Sequence, residues 1–221
     1  MQTTILIILL AATYVFLLIQ YKKATEKGSK GLLEALNASR SLHDLNNRTV
    51  STAPLMLLSL ACCMLVPGST MLRPDFASWQ WFEILFLSGL CFLISGATAF
   101  AVSGPIPSRV RRKEQVRYFS IRIPGLILYE LFFRGVVLGV TMQFFSAGFS
   151  IALNILLYAV AHVSSLRKEF FGSILFGFAL CYTAIRNQSV YPCVLMHLSI
   201  ALPHEIILLN RYQRTIKNTI L

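Results

Sequence analysis

The sequence predicts an all-α protein, a polytopic transmembrane helix bundle of about seven spans. Of its 221 residues, 56% are hydrophobic and only 13% are charged, whereas a soluble domain usually carries about 25% charged residues. Apolar stretches recur along the whole chain, and about 20 apolar residues suffice for one bilayer crossing. We therefore expect one helical membrane domain and no separate soluble domain.

The apolar stretches give the predicted helices in order. Their limits are about 3–19, 51–66, 79–102, 124–145, 147–163, 170–185 and 191–209. The first stretch has no basic region before it and no small-residue cleavage site, so we expect a retained helix rather than a signal peptide. Pro67 and Pro105 mark the ends of the second and third stretches, and Pro124 opens the fourth in a favourable helix N-terminal position.

The chain divides into two parts on this pattern. Residues 1–50 are expected to hold the first transmembrane helix and a polar cytoplasmic segment, and residues 51–221 the main bundle. The basic residues predict the orientation, because cytoplasmic loops are enriched in Lys and Arg. With the N-terminus outside and the C-terminus in the cytoplasm, the cytoplasmic segments hold seventeen Lys and Arg residues, and the outer loops hold only Arg73 and Arg186.

The net charge of +11 is therefore read as membrane topology and contact with lipid head groups. Basic residues interleaved with aromatic ones, the pattern typical of RNA binding, are not evident in the sequence. We expect the lipid bilayer as a partner and no nucleic acid.

Two ionisable residues lie inside the fourth stretch. Glu130 and Arg134 are four residues apart with the acid first, so they share a helix face and can pair. A charged side chain inside a span costs about 2.5–3.5 kcal/mol on insertion scales, so it needs a partner or a task. The pair is either a structural ion pair that pins two helices or part of a functional site.

Further polar groups occupy the fifth and seventh stretches. Asn154, Tyr158 and His162 are spaced four residues apart and form a polar stripe, and His197 and His204 lie seven apart on one helix face. Each is open to a packing role. The acid and two or three of the histidines are expected in the cytoplasmic half of the membrane, with His197 near mid-depth. There they suit activation of a water molecule, directly or through a metal.

Three motifs resemble those of the CPBP intramembrane proteases, the family of CAAX prenyl endopeptidases and bacteriocin-processing (Abi) enzymes. Residues 129–135 read Tyr-Glu-Leu-Phe-Phe-Arg-Gly, close to the first family motif, Glu-Glu-x-x-x-Arg. Residues 158–162 end in histidine and nearly match Phe-x-x-x-His, and residues 197–201 resemble His-x-x-x-Asn. The order, spacing and apolar context fit over about residues 120–205.

The resemblance implies an intramembrane endopeptidase that cleaves a peptide or a prenylated substrate from the cytoplasmic side, in a bacterial cell membrane. It implies that His162 takes part in activating water and that His197 stabilises the oxyanion. Glu130 would be the second acid of the first motif and Arg134 its partner. Catalysis without a cofactor and use of a divalent metal such as zinc, with Glu130, His162 and His197 as candidate ligands, both remain open.

Two positions depart from the family pattern. Tyr129 stands where the family has its first glutamate, and Ala201 stands where it has asparagine. Tyrosine has a pKa near 10 and is a poor base at neutral pH, and alanine cannot donate to an oxyanion. An active enzyme would require Glu130 to act as the base and His204 to replace the asparagine, with Tyr129, Asn154 and Tyr158 in support.

A catalytically degenerate member is the alternative, one that binds a peptide, confers bacteriocin immunity or scaffolds a small membrane protein. A transporter or ion pathway is the third reading, because intramembrane acids and histidines also mark proton routes. It is the least favoured, because the sequence has no inverted repeat of the kind that many transporters contain.

Overall fold

The computed structural model describes residues 2–26, 32, 42–64, 72, 80–101, 112–161 and 167–219. Within these ranges the protein is all-helical, and the predicted fold class is confirmed. Its helices are α1 (Gln2–Glu26), α2 (Leu42–Met64), α3 (Trp81–Ala101), α4 (Arg112–Glu130), α5 (Ala147–Ala161), α6 (Arg167–Arg186) and α7 (Tyr191–Thr219). α4 continues without a break into a π-helix, Leu131–Leu138, and a last α-helical turn, Gly139–Thr141.

The lengths of the helices support an integral membrane protein. Four stretches are long and apolar enough to cross a bilayer, namely Thr4–Lys23, Trp81–Ala101, Arg112–Phe144 and Tyr191–Asn210. The apolar parts of α2, α5 and α6 are shorter, at Thr49–Met64, Ala147–Ala161 and Phe171–Arg186. The predicted number of about seven helices therefore holds for the described residues, and four of these helices meet the full length for a span.

Large apolar side chains cover the outside of the bundle. Phe82 is 83% exposed, Leu175 is 77% exposed and Ile8 is 64% exposed. In water such a surface would be an aggregation liability, whereas lipid tails solvate it. The exposed apolar surface therefore agrees with the membrane environment that the composition predicts.

The expectation that Pro124 opens its helix is wrong. α4 begins at Arg112, twelve residues earlier, and Pro124 lies inside it. Two contacts to other helices hold this basic first half in place. The amide of Asn46 donates to the carbonyl of Tyr118 at 3.0 Å, and Arg122 forms an ion pair with Glu205 of α7 at 2.8 Å. Tertiary contacts thus accompany a helix in the basic segment before residue 124, where the apolar pattern predicted none.

The π-helix is the centre of the bundle. It contacts α2, α5, α6 and α7, and all of its residues from Phe132 to Leu138 are buried. Around this centre, α3 packs along α7, and α5 packs on α6. The helix α2 contacts both α1 and α4. A side chain at either end of the π-helix is therefore placed against several helices at once.

Candidate functional site

Glu130 lies at the junction between α4 and the π-helix. Its side chain is completely buried, and its Oε1 is 2.5 Å from Nδ1 of His197 on α7. One turn further along the chain, Nη1 of Arg134 lies 3.3 Å from both carboxylate oxygens. The structure thus holds one buried carboxylate between an imidazole and a guanidinium group.

The contacts of Arg134 explain how a guanidinium can lie in the interior. Its side chain has no exposed surface, and removing a charge from water is costly unless a partner compensates it. Glu130 supplies the opposite charge, and the ring of Tyr158 lies 4.0 Å from the guanidinium carbon, a distance that allows a cation–π interaction. Arg134 therefore joins α5 to the acid of α4.

The π-helix is held open by a side chain of α5. Nδ2 of Asn154 donates to the carbonyl of Phe133 at 2.7 Å, and the thiol of Cys181 donates to Oδ1 of Asn154 at 3.2 Å. Asn154 is fully buried, so this bond joins α5 to the π-helix in the interior of the bundle. Single-turn π-helical segments frequently occur at functional sites.

Aromatic rings surround the carboxylate and the imidazole. The ring of Tyr129 lies 6.4 Å from that of His197 and 5.6 Å from that of Tyr158, between centroids. Phe176 of α6 approaches His197 edge-on from another side at 5.6 Å. The enclosure is apolar, which strengthens the electrostatic interactions inside it. His197 keeps 13% of its side chain exposed.

A small cleft lies beside this site, between α1, α2 and α4. Its walls are formed by Leu17, Tyr21, Thr49, Thr52, Met56, Arg122, Gly125, Leu128 and Tyr129. The close approach of α2 and α4 here depends on Gly125, because a Cβ at this position would collide with the side chain of Thr49. Tyr129 lies both on the cleft and against His197, so it separates the two.

The other candidate residues differ in how they relate to the site. Asn154 and Tyr158 contact the site as described above. His204 lies elsewhere: its Nδ1 is 3.3 Å from Oγ1 of Thr98 on α3. Ala201 is half-buried on α7, one turn after His197. His162 lies outside the described residues.

The question of a metal depends on three of these positions. Glu130 and His197 are in contact, and the described residues contain no group of three His, Cys, Asp or Glu side chains that could hold a metal ion. His162, the third candidate ligand, follows directly after α5 and is not part of the described chain.

Two parts of the site were missed by the sequence analysis. The π-helix was one, although the buried Asn154 on an apolar helix was a signal that some backbone carbonyl needs a donor. The other was Phe176 with its neighbour Gly177, where a Cβ would lie 3.4 Å from the Tyr158 ring and 3.5 Å from Nη2 of Arg134. These are ordinary contact distances, so α6 lies directly against the pair at Gly177, and nothing in the sequence pattern indicated this contact.

Comparison with known proteins adds one finding. The family described as Type II CAAX prenyl endopeptidase Rce1-like matches residues 117–202. A search of curated proteins and one of solved structures find no match. The matched segment contains all three motifs, from Tyr129 to Ala201, together with the Glu130–His197 contact. The resemblance to the CPBP proteases is thereby confirmed, and this protein carries an Rce1-like, CAAX-protease-like segment over residues 117–202 of a membrane-embedded helical bundle.

Proposed function

We propose that the protein is an intramembrane endopeptidase that cleaves a peptide or a prenylated substrate from the cytoplasmic side of the membrane. The observation that carries this proposal is the buried Glu130 carboxylate held between His197 and Arg134. It lies in the segment that matches a family of endopeptidases. A purely structural ion pair would need only one cation, whereas here an imidazole approaches the same carboxylate from a different helix.

The reaction assigned to this site is hydrolysis of a peptide bond. Glu130 accepts a proton from a water molecule whose oxygen bonds to the carbonyl carbon of the substrate. The bond from that carbon to nitrogen then breaks, and the proton passes to the leaving amine. A positioned general base of this kind contributes about 10²–10⁴-fold to a rate.

The neighbours of Glu130 have separate tasks in this proposal. Arg134 supplies the opposite charge to the carboxylate and fixes its orientation through the contacts at 3.3 Å. His197 stabilises the negative oxygen that develops on the substrate, and His162 helps to place the water. Ala201 removes one donor that the related enzymes have, and loss of such a donor costs about 10²–10³-fold in other enzymes. We therefore expect slow turnover.

The cleft beside Tyr129 supports an approach of the substrate from the side of α1 and α2. Tyr21, Thr49 and Thr52 offer hydroxyl groups there, and Leu17 and Met56 offer apolar surface, so the cleft suits an extended peptide with mixed side chains. The charge distribution supports an opening to the cytoplasm, because the basic first half of α4 lies at this end of the bundle. It likewise supports an outer N-terminus, and we propose a bacterial cell membrane as the location.

The test is cleavage by the purified protein in lipid nanodiscs. Fluorescence-quenched peptides ending in a CAAX sequence, with and without a farnesyl group, would be compared with scrambled peptides. Glu130→Gln and His197→Gln should each abolish cleavage. Glu83→Gln is the control, since Glu83 is also paired with an arginine, Arg186 at 2.9 Å, but neither residue lies in the site or in the cleft. Cleavage that survives Glu130→Gln would refute the assignment of the base.

A catalytically degenerate binder is the second candidate, favoured by Tyr129 and Ala201 at two family positions. It would bind a peptide in the cleft, as in bacteriocin immunity or membrane scaffolding. The same samples distinguish the two candidates. Saturable binding of the peptides without any cleavage, unchanged by Glu130→Gln, would support the binder.

A further inference from the structure

Tyr14 lies in α1, far outside the segment that matches the family. Its hydroxyl donates a hydrogen bond to the carbonyl of Leu157 on α5 at 2.7 Å. The two residues are 143 positions apart in the sequence. The length of the bond agrees with the usual O–H···O distance of about 2.7–2.8 Å, so it is well formed.

The accepting carbonyl, that of Leu157, lies near the C-terminal end of α5. Leu157 is in the last part of α5, which ends at Ala161, and the second motif histidine, His162, follows at the next position. A carbonyl oxygen has two lone pairs, so Leu157 can accept from Tyr14 as well as from the backbone of its own helix. The bond therefore ties α1 to the end of α5 that leads into His162.

The ring of Tyr14 makes a second contact with the site. It meets the ring of Phe133 edge-on, with centroids 6.4 Å apart and planes at 82°. Phe133 precedes Arg134, and its carbonyl accepts the amide of Asn154. One side chain of α1 thus touches both helices that carry the first two motifs.

The residue next to Tyr14 has a different partner. Oγ1 of Thr13 is fully buried and lies 3.0 Å from Oγ of Ser59 on α2. Thr13 therefore fastens α1 to α2, while Tyr14 fastens α1 to α5. The bond of Thr13 therefore contributes to the packing of α1 in general, whereas the bond of Tyr14 reaches a helix of the site.

We infer that Tyr14 is a positioning residue, which fixes the C-terminal part of α5, and with it the ring of Tyr158 that lies on Arg134, relative to the π-helix. The inference rests on the proposed function in so far as Arg134 supports Glu130 in catalysis. On this inference α1 supports the geometry of the site through Tyr14, in addition to crossing the membrane.

The experiment compares Tyr14→Phe with Thr13→Val in nanodiscs. Tyr14→Phe keeps the ring against Phe133 and removes only the hydroxyl, and Thr13→Val removes the bond to Ser59. We expect Tyr14→Phe to lower kcat about tenfold with KM unchanged, because small displacements of catalytic groups slow chemistry more than binding. Thr13→Val should lower the yield of folded protein and leave kcat per folded molecule at the wild-type value.

A second measurement does not depend on activity. Hydrogen–deuterium exchange of the peptide covering residues 155–165 should be faster in Tyr14→Phe than in the wild type, and unchanged in Thr13→Val. Wild-type exchange in Tyr14→Phe would overturn the inference, as would a wild-type kcat. If the wild type cleaves nothing, the proposed function fails, and exchange alone decides whether Tyr14 positions the end of α5.

Discussion

The amide of Asn154 lies 2.7 Å from the carbonyl of Phe133, and this bond joins α5 to the π-helix. Asn154→Leu should remove this bond from the carbonyl and also take away the acceptor of the buried Cys181 thiol. An unsatisfied buried polar group costs about 1–3 kcal/mol, so the unfolding temperature in detergent should fall. Peptide cleavage should fall as well, because the turn that follows Glu130 loses its support.

Asn46→Leu is the matched control for this variant. Asn46 is also buried and also donates to a backbone carbonyl, that of Tyr118 at 3.0 Å, but it lies away from the site. It should lower stability by a similar amount without changing cleavage per folded molecule. Equal losses of activity in the two variants would argue against a special role for Asn154.

Arg134→Met should be strongly destabilising. It leaves Glu130 as a buried charge without its guanidinium partner, and breaking such a buried pair costs about 3–5 kcal/mol. Adding Glu130→Gln should restore part of the loss, since the amide carries no charge. A denaturant titration of the two single variants and the double variant measures this coupling.

The exposed pair between Arg186 and Glu83 provides the comparison. Its atoms are 2.9 Å apart, yet the side chains are 45% and 38% exposed. Because exposed ion pairs contribute about 0–1 kcal/mol, Arg186→Met should change stability little. If Arg186→Met lowered the free energy of unfolding as much as Arg134→Met, burial would not explain the effect of Arg134.

Tyr129 and Ala201 are predicted to limit turnover. Restoring the family residues in the double variant Tyr129→Glu with Ala201→Asn should increase cleavage, since the first adds a second acid beside His197 and the second adds a donor one turn after it. Tyr129→Phe, which keeps the ring contacts with Tyr158 and His197, should change cleavage little. Steady-state rates with one quenched peptide compare the three proteins. A slower double variant that is still folded would indicate that Tyr129 itself is required.

The orientation of the bundle can be tested with single added cysteines. Gln143 follows α4 at one end of the bundle and Lys113 lies at the start of α4 at the other, and both are exposed. An impermeant maleimide added to intact cells should label Gln143→Cys, and Lys113→Cys only after the cells are broken. The unmodified protein gives the background from the native cysteines, and the reverse pattern would invert the proposed topology.

Much of the fold could be predicted because the bilayer imposes a simple length rule. Long apolar stretches gave the helices, and the spacing of Glu130 and Arg134 gave a pairing that the structure contains. The π-helix could not be predicted, because nearly every residue from 131 to 138 is apolar and no periodicity distinguishes one helical register from another. The start of α4 depends on contacts from Asn46 and Glu205, which lie far away in sequence.

The site was predicted less completely for a related reason. Helix spacing shows which residues share a face but not which helix that face meets. The contact of His197 with Glu130, and that of His204 with Thr98, are both set by the packing of α7 between α3 and α4. Two histidines seven residues apart thus have different partners. The role of Tyr14 depends in the same way on the placement of α1.

The π-helix also sets the rotational phase of everything beyond it. Each residue turns an α-helix by about 100°, so the wider turn decides which side chains after Arg134 face α5, α6 or lipid. Deleting a single residue within Leu131–Leu138 would rotate the turn that follows the π-helix about the helix axis. Val140, which is buried in that turn, would then face different neighbours. We therefore expect this stretch to tolerate the substitution of a residue far better than the deletion or insertion of one.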